Sequence, residues 1–91
     1  MSSTSQKHQA FISEPLGEKP VTECAGIGKV LGEKLKDAGF EYAYNLVGQY
    51  LLFNKDVETL QDWLKEETGA NKKQSGDCAR CIQEWTDAFI N

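Results

Sequence analysis

Three groups of residues in this 91-residue chain carry chemistry by type and spacing. The first is Cys24-Ala25-Gly26-Ile27-Gly28-Lys29-Val30-Leu31-Gly32-Glu33-Lys34-Leu35. Two glycines around one apolar residue allow a tight turn in backbone conformations that other residues resist. Ile27 tucks inward and pins that turn. A helix N-terminus follows, and its unpaired N–H groups and positive dipole end suit a phosphate. Lys29 and Lys34, read as lying near the same end of that helix, add charge-assisted contacts. Such a site grips the backbone of duplex DNA and reads no bases. A plain tight corner between two helices is the competing reading of the same glycines.

The second group is Cys78 and Cys81, a CxxC, with Cys24 as the only other cysteine and His8 as the only histidine. A structural zinc site takes about four ligands, and two of these candidates lie far away in sequence. Redox CxxC pairs open a helix after a strand, whereas this pair falls in mid-helix, on one face with Ile82 and Trp85. The expectation is buried, inert thiols and no metal, cofactor or catalytic centre. The third group is the hydroxyl run Ser2, Ser3, Thr4 and Ser5 beside Lys7. A phosphate of about −2 charge there would repel a polyanion.

The elements that must position these residues are helical. Ser3 and Gln6 resemble a capping box opening a helix that carries Phe11 and Ile12. Pro15, Gly17 and Pro20 mark a loop, and Val21, Cys24 and Ala25 a short apolar turn. The helix after Gly28 places Val30, Leu31 and Leu35 on one stripe and stops at Gly39, with Lys36 in its last turn. Residues 41–53 form a helix buried on more than one side. Asp56 caps the next helix, with Leu60, Trp63 and Leu64 inward, and Gly69 ends it. Asn71 and Gln74 make a second capping box. The last helix runs to about Phe89 with Cys78, Cys81, Ile82, Trp85 and Phe89 inward. No alternating strand pattern appears. The fold class is all-α: one domain over residues 1–91 with five or six short helices and a helix-hairpin-helix at about residues 20–36.

Composition bounds the function. Apolar residues make up 40% and charged residues 26%, which is globular rather than disordered. A chain this short buries only roughly 60–65% of its unfolded surface, so dimerisation is a natural way to bury more. No apolar run approaches the ~20 residues of a membrane span, so no membrane insertion is expected, and no secretory leader is expected either. The net charge of −4 excludes a protein that coats nucleic acid by bulk charge. It is uneven, however. Residues 1–40 hold five Lys and five acids, and residues 41–91 hold five basic residues and nine acids. The first half is free to meet a polyanion.

Beyond the glycine turn, the chain resembles the barrier-to-autointegration factors, small metazoan chromatin proteins, nearly end to end. The resemblance is carried by Ser5-Gln6-Lys7-His8, Glu14-Pro15, Gly17-Glu18-Lys19-Pro20-Val21, Ala25-Gly26-Ile27-Gly28 and Ala38-Gly39-Phe40. Further along it is carried by Trp63-Leu64-Lys65, Gly69-Ala70, Lys73-Gln74-Ser75, Asp77-Cys78, Glu84-Trp85 and Asp87-Ala88-Phe89. It implies a homodimer whose two DNA sites face opposite ways and bridge two duplexes. It implies double-stranded DNA, LEM-domain proteins and lamins as partners, in the nucleus, on chromatin and at the nuclear envelope, and also in the cytoplasm. By resemblance the DNA surface comprises Gln6, Lys7, Gly26, Ile27, Gly28, Lys34, Ala70 and Lys73. The LEM groove, again by resemblance, is Leu51, Leu52, Phe53, Val57, Glu58 and Thr59, and the hydroxyl run Ser2 to Ser5 is a set of kinase sites.

The chain departs from the family pattern at three positions. Gln9 stands where an Arg is usual, and Gly76 where vertebrate members carry a basic residue. Thr59 replaces a large apolar side chain. The first two remove positive charge from the DNA face, with Lys72 and Lys29 as partial compensation, and each lost phosphate contact flattens the salt dependence by ~0.9. These departures support an alternative: a divergent paralogue with weakened DNA binding, acting as a protein-interaction adaptor or heterodimer partner.

Overall fold

The computed structural model describes the backbone of residues 3–90 and the side chains of residues 6–90. Five α-helices follow in order: α1 (Ser3–Ile12), α2 (Lys29–Asp37), α3 (Ala43–Leu52), α4 (Val57–Thr68) and α5 (Lys72–Phe89), with a 3₁₀ turn at Val21–Glu23 between the first two. Among the described residues the only β pairing is an isolated bridge between Pro20 and Tyr42. The all-α class therefore holds. The long α5 is the spine. It packs most heavily against α4 and α1 and also against α3, while α2 packs on α4 and on the 3₁₀ turn.

The helix ends follow local chemistry. Asp56 caps α4, its Oδ1 accepting from the Thr59 amide at 3.1 Å. Asn71 and Gln74 exchange side-chain and backbone bonds of 2.7 and 3.0 Å in a capping box at the start of α5. Gly69 ends α4 at φ +73°, and Gly39 follows α2 at φ +95°, the left-handed positions where glycine is favoured. The α3–α4 turn is unusual in holding two non-glycine residues there, Asn54 at +58° and Lys55 at +61°. α1 already includes Ser3, and the Ser3 side chain of the expected Ser3–Gln6 box lies outside the described residues.

Phe11, Ile27, Leu35, Leu46, Tyr50, Leu60, Leu64 and Ile82 fill the core, with Cys24, Cys78 and Cys81 among them. All three cysteines are free and buried. Trp85 closes one end, its indole N–H donating to the Glu14 carbonyl at 2.9 Å and strapping the loop after α1 to α5. Two residues expected inward are not. Val30 is 67% exposed, since successive helical residues are about 100° apart and Leu31 takes the core side. Phe89 is 43% exposed, stacked on Trp85 at 5.0 Å near the end of α5.

Candidate nucleic-acid interface

The 3₁₀ turn Val21–Glu23, the glycine turn and α2 follow one another where the helix-hairpin-helix was expected. The Ile27 amide bonds back to the Cys24 carbonyl at 3.1 Å, and the Ile27 side chain is fully buried. Gly32 lets the hairpin close, because a Cβ there would lie 2.5 Å from Thr22 Cγ2. Gly26 is required twice over. Its φ is +81°, and a Cβ would fall 2.4 Å from the Gln74 carbonyl oxygen. The hairpin turn is thereby pressed onto the start of α5.

Gly28 differs. As the residue before α2 it has φ −96° and ψ −166°, extended backbone open to any residue, and a Cβ would meet nothing within 4 Å. No internal contact asks for glycine. Its effect is outward: no side chain caps α2, and the amides of its first turn have no partner within the helix.

Two helix N-termini thus meet at one place. A cleft of about 430 Å³ is lined by Lys7, Gly26, Ile27, Gly28, Asn71, Lys73, Gln74 and Asp77. Neither α2 nor α5 carries an acid in its first turn, whereas α4 has Glu58 there. An acid in the first turn stabilises an isolated helix. Its absence at both ends facing the cleft leaves their positive poles for an external anion.

The cations are partly engaged. Lys7 Nζ donates to the Ile27 carbonyl at 2.7 Å, tying α1 to the hairpin and holding the ammonium at the cleft. Lys73 Nζ lies 3.0 Å from Asp77 Oδ2, and Arg80 Nη2 lies 2.9 Å from Asp77 Oδ1. A second groove of about 540 Å³ shares Lys7 and Gly28 with the cleft and adds Lys29, Lys36, Glu33 and Glu41.

Of the eight residues expected to meet DNA, Lys7, Gly26, Ile27, Gly28 and Lys73 line the cleft. Ala70 is buried in the turn before α5, its amide donating to Thr68 Oγ1 at 3.1 Å. Gln6 is exposed on α1 beside Lys7. Lys34 does not share an end of α2 with Lys29. It sits in the last turn, and its Nζ donates to the Thr68 carbonyl at 3.2 Å, capping the C-terminus of α4. Asp77 was not anticipated as a member of the cleft, although its spacing four residues after Lys73 is a helical ion-pair signal.

The other expected surface also has a definite place. Leu51 and Leu52 end α3, 39% and 77% exposed. Phe53 and Val57 are half-buried, and Glu58 and Thr59 are exposed at the start of α4. Of the hydroxyl run, Ser2 lies outside the described residues, as do the side chains of Ser3, Thr4 and Ser5. Cys81 is pushed up to about 12, mainly by burial. A hydrogen bond between Cys24 and Cys78, and then burial, raise the Cys24 thiol well above the ordinary value. These are packing thiols. Among the described residues no cluster of His, Cys, Asp or Glu is arranged to hold a metal, and no helix is long and apolar enough to cross a membrane.

Comparison with known proteins shows the family. A family model described as Barrier to autointegration factor matches residues 2–89. The Danio rerio "Barrier-to-autointegration factor" is 54% identical over 90 residues, 99% of this chain and all of that protein. The Homo sapiens protein of the same name is 55% identical over 87 residues, 96% of this chain and 98% of that one. The Drosophila melanogaster protein is 53% identical over 90 residues, 99% and 100% of the two chains. With its hairpin pressed onto α5, the chain belongs to the barrier-to-autointegration factor family.

Proposed function

We propose that this protein binds double-stranded DNA through its backbone, without sequence preference, and that a homodimer bridges two duplexes. The observation that carries the reading is the meeting of two acid-free helix N-termini with Lys7 and Lys73 at one cleft. Backbone amides and ammonium groups recognise phosphates and carry no base code. Bridging needs two such sites on one particle, and a two-fold dimer supplies them. Exposed apolar side chains at the ends of α3 and α5, Leu52, Phe89 and Ile90, offer surface for a second copy. The family assignment supports the same reading, and with it a role on chromatin in the nucleus and at the nuclear envelope. Residues Leu51 to Thr59 would serve LEM-domain proteins, and lamins would be further partners. Phosphates on Ser2 to Ser5 would release DNA.

The test is a mixture of two duplexes of unrelated sequence, each with its own fluorophore, one immobilised and one free. The protein is expected to capture the free duplex on the immobilised one, equally for any pair of sequences. Binding of single duplexes without capture would remove bridging. Absence of any binding at ~50 mM salt would leave the adaptor reading, a paralogue acting through protein partners alone.

A further inference from the structure

Gly76 is the anomaly of α5. It lies in the second turn of an 18-residue helix, inside it, where glycine is the poorest ordinary choice, and it has no positive φ to account for it. A Cβ at this position would lie 3.2 Å from Arg80 Nη1, 3.5 Å from Arg80 Nη2 and 3.2 Å from Gln61 Nε2. Side chains on a helix lean toward the preceding turn, and Arg80 does so fully. Its guanidinium lies over residue 76, between the Gln61 amide on α4 and the Asp77 carboxylate, with Nη2 2.9 Å from Asp77 Oδ1. Gln61 is held from its other side, donating to the Lys72 carbonyl at 3.2 Å.

We propose that Arg80, the only arginine in the chain, is a phosphate-contacting residue of the DNA surface, and that Gly76 is the space that brings its guanidinium back toward the cleft. The proposal rests on the DNA-binding reading above and adds a ligand to it. Lys73 and Arg80 are seven residues apart, two turns or about 10 Å along one face of α5. Asp77 stands between them with one carboxylate oxygen on each, and its own side chain is only 15% exposed. The Arg80 side chain remains 58% exposed, so Asp77 fixes the guanidinium without covering it. Its planar fork leaves further N–H donors for a phosphate. The phosphate track then runs from the hairpin amides past Lys73 to Arg80, and the charge missing from position 76 is delivered from one turn further on.

The experiment is a titration of one ~20-base-pair duplex with the full-length protein over a range of salt, for wild type, Arg80→Ala, Asp77→Asn and the double variant. Melting temperatures establish that each is folded. Arg80→Ala is expected to flatten the slope of log K against log salt by ~0.9, both with Asp77 present and in the Asp77→Asn background. If Arg80 only neutralises Asp77, Arg80→Ala will change nothing in the Asp77→Asn background, and that result overturns the proposal while wild-type binding stands. No duplex binding by wild type at ~50 mM salt overturns the DNA reading and this one with it. Gly76→Ala is expected to melt higher and bind more weakly. Binding as tight as wild type would overturn the role given to the glycine.

Discussion

Two glycines, two residues apart, occupy the centre of the hairpin for opposite reasons. Gly26 is demanded from within, by a left-handed φ and by the Gln74 carbonyl 2.4 Å from where a Cβ would be. Gly26→Ala should therefore cost roughly 2 kcal/mol or more of stability, read as a lowered denaturant midpoint. A midpoint within ~0.5 kcal/mol of wild type would contradict the close approach. Gly28 has no such demand, so its value lies in what it leaves open. The spacing of the two glycines is legible in the sequence. The division of labour between them is not, because spacing carries neither φ nor the distance to α5. The cysteines follow a similar pattern. Helical spacing alone placed Cys78 and Cys81 on the inner face, while their contact with Cys24 depends on the hairpin folding over α5. Their titration gives a pH prediction with a definite sign. Burial raises the Cys81 thiol from an ordinary value of 9.0 to about 12, so the folded state resists deprotonation that the unfolded chain allows. That contribution to stability is fully present below about pH 9 and is lost progressively as pH rises toward 12. A pH series of urea midpoints should fall over that window in wild type and fall less in Cys81→Ala.

At the level of elements, the arrangement depends on which helices carry their own anions. α4 has Asp56 as its cap and Glu58 in its first turn, so its positive pole is satisfied internally. α2 has neither, and α5 uses a neutral Asn71–Gln74 box. These differences are local and can be read directly from the sequence, as were Asp56, Gly69 and the capping box of α5. That the two acid-free ends share a cleft is a contact between residues 26 and 74, and no local pattern encodes it. The same limit explains Lys34. Sequence proximity grouped it with Lys29, but the turn of the helix carries it to the Thr68 carbonyl. Lys34→Ala should consequently lower the melting temperature by a few degrees, corresponding to about 1 kcal/mol for a lost charge-assisted bond. A variant that keeps wild-type stability would contradict that cap.

For the whole molecule, size and charge each have two sides. The domain measures 31 × 27 × 23 Å, and it leaves Tyr44, Leu51, Leu52, Phe89 and Ile90 exposed. This is apolar surface a dimer would cover, and sedimentation at micromolar concentration should give twice the mass of the chain. A single-chain mass would contradict the two-site particle that bridging requires. The net charge of −4 does not decide against DNA, because the acids lie mostly in the second half while the cleft presents two helix poles and Lys7. It does decide how the protein should bind: through a few phosphate contacts, with an affinity that falls as salt rises. The alignment of the whole chain with its family was legible from short motifs spread along its length, since those motifs are turns, caps and core positions. The compensation of Gly76 by Arg80 was not, because it is a matter of where one side chain lies.

The central claim, that open amides at the start of α2 hold phosphate, is tested most directly by Gly28→Asp. An aspartate fits the extended backbone and the empty space there, and it is a better helix cap than glycine by a few tenths of a kcal/mol. It also sets a carboxylate where the phosphate would sit. The measurement is duplex affinity across salt for wild type and Gly28→Asp, with thermal melts of both. The account predicts that the variant melts no lower than wild type and binds DNA at least ~10-fold more weakly at every salt concentration. A variant that is equally stable and binds as tightly as wild type would contradict it.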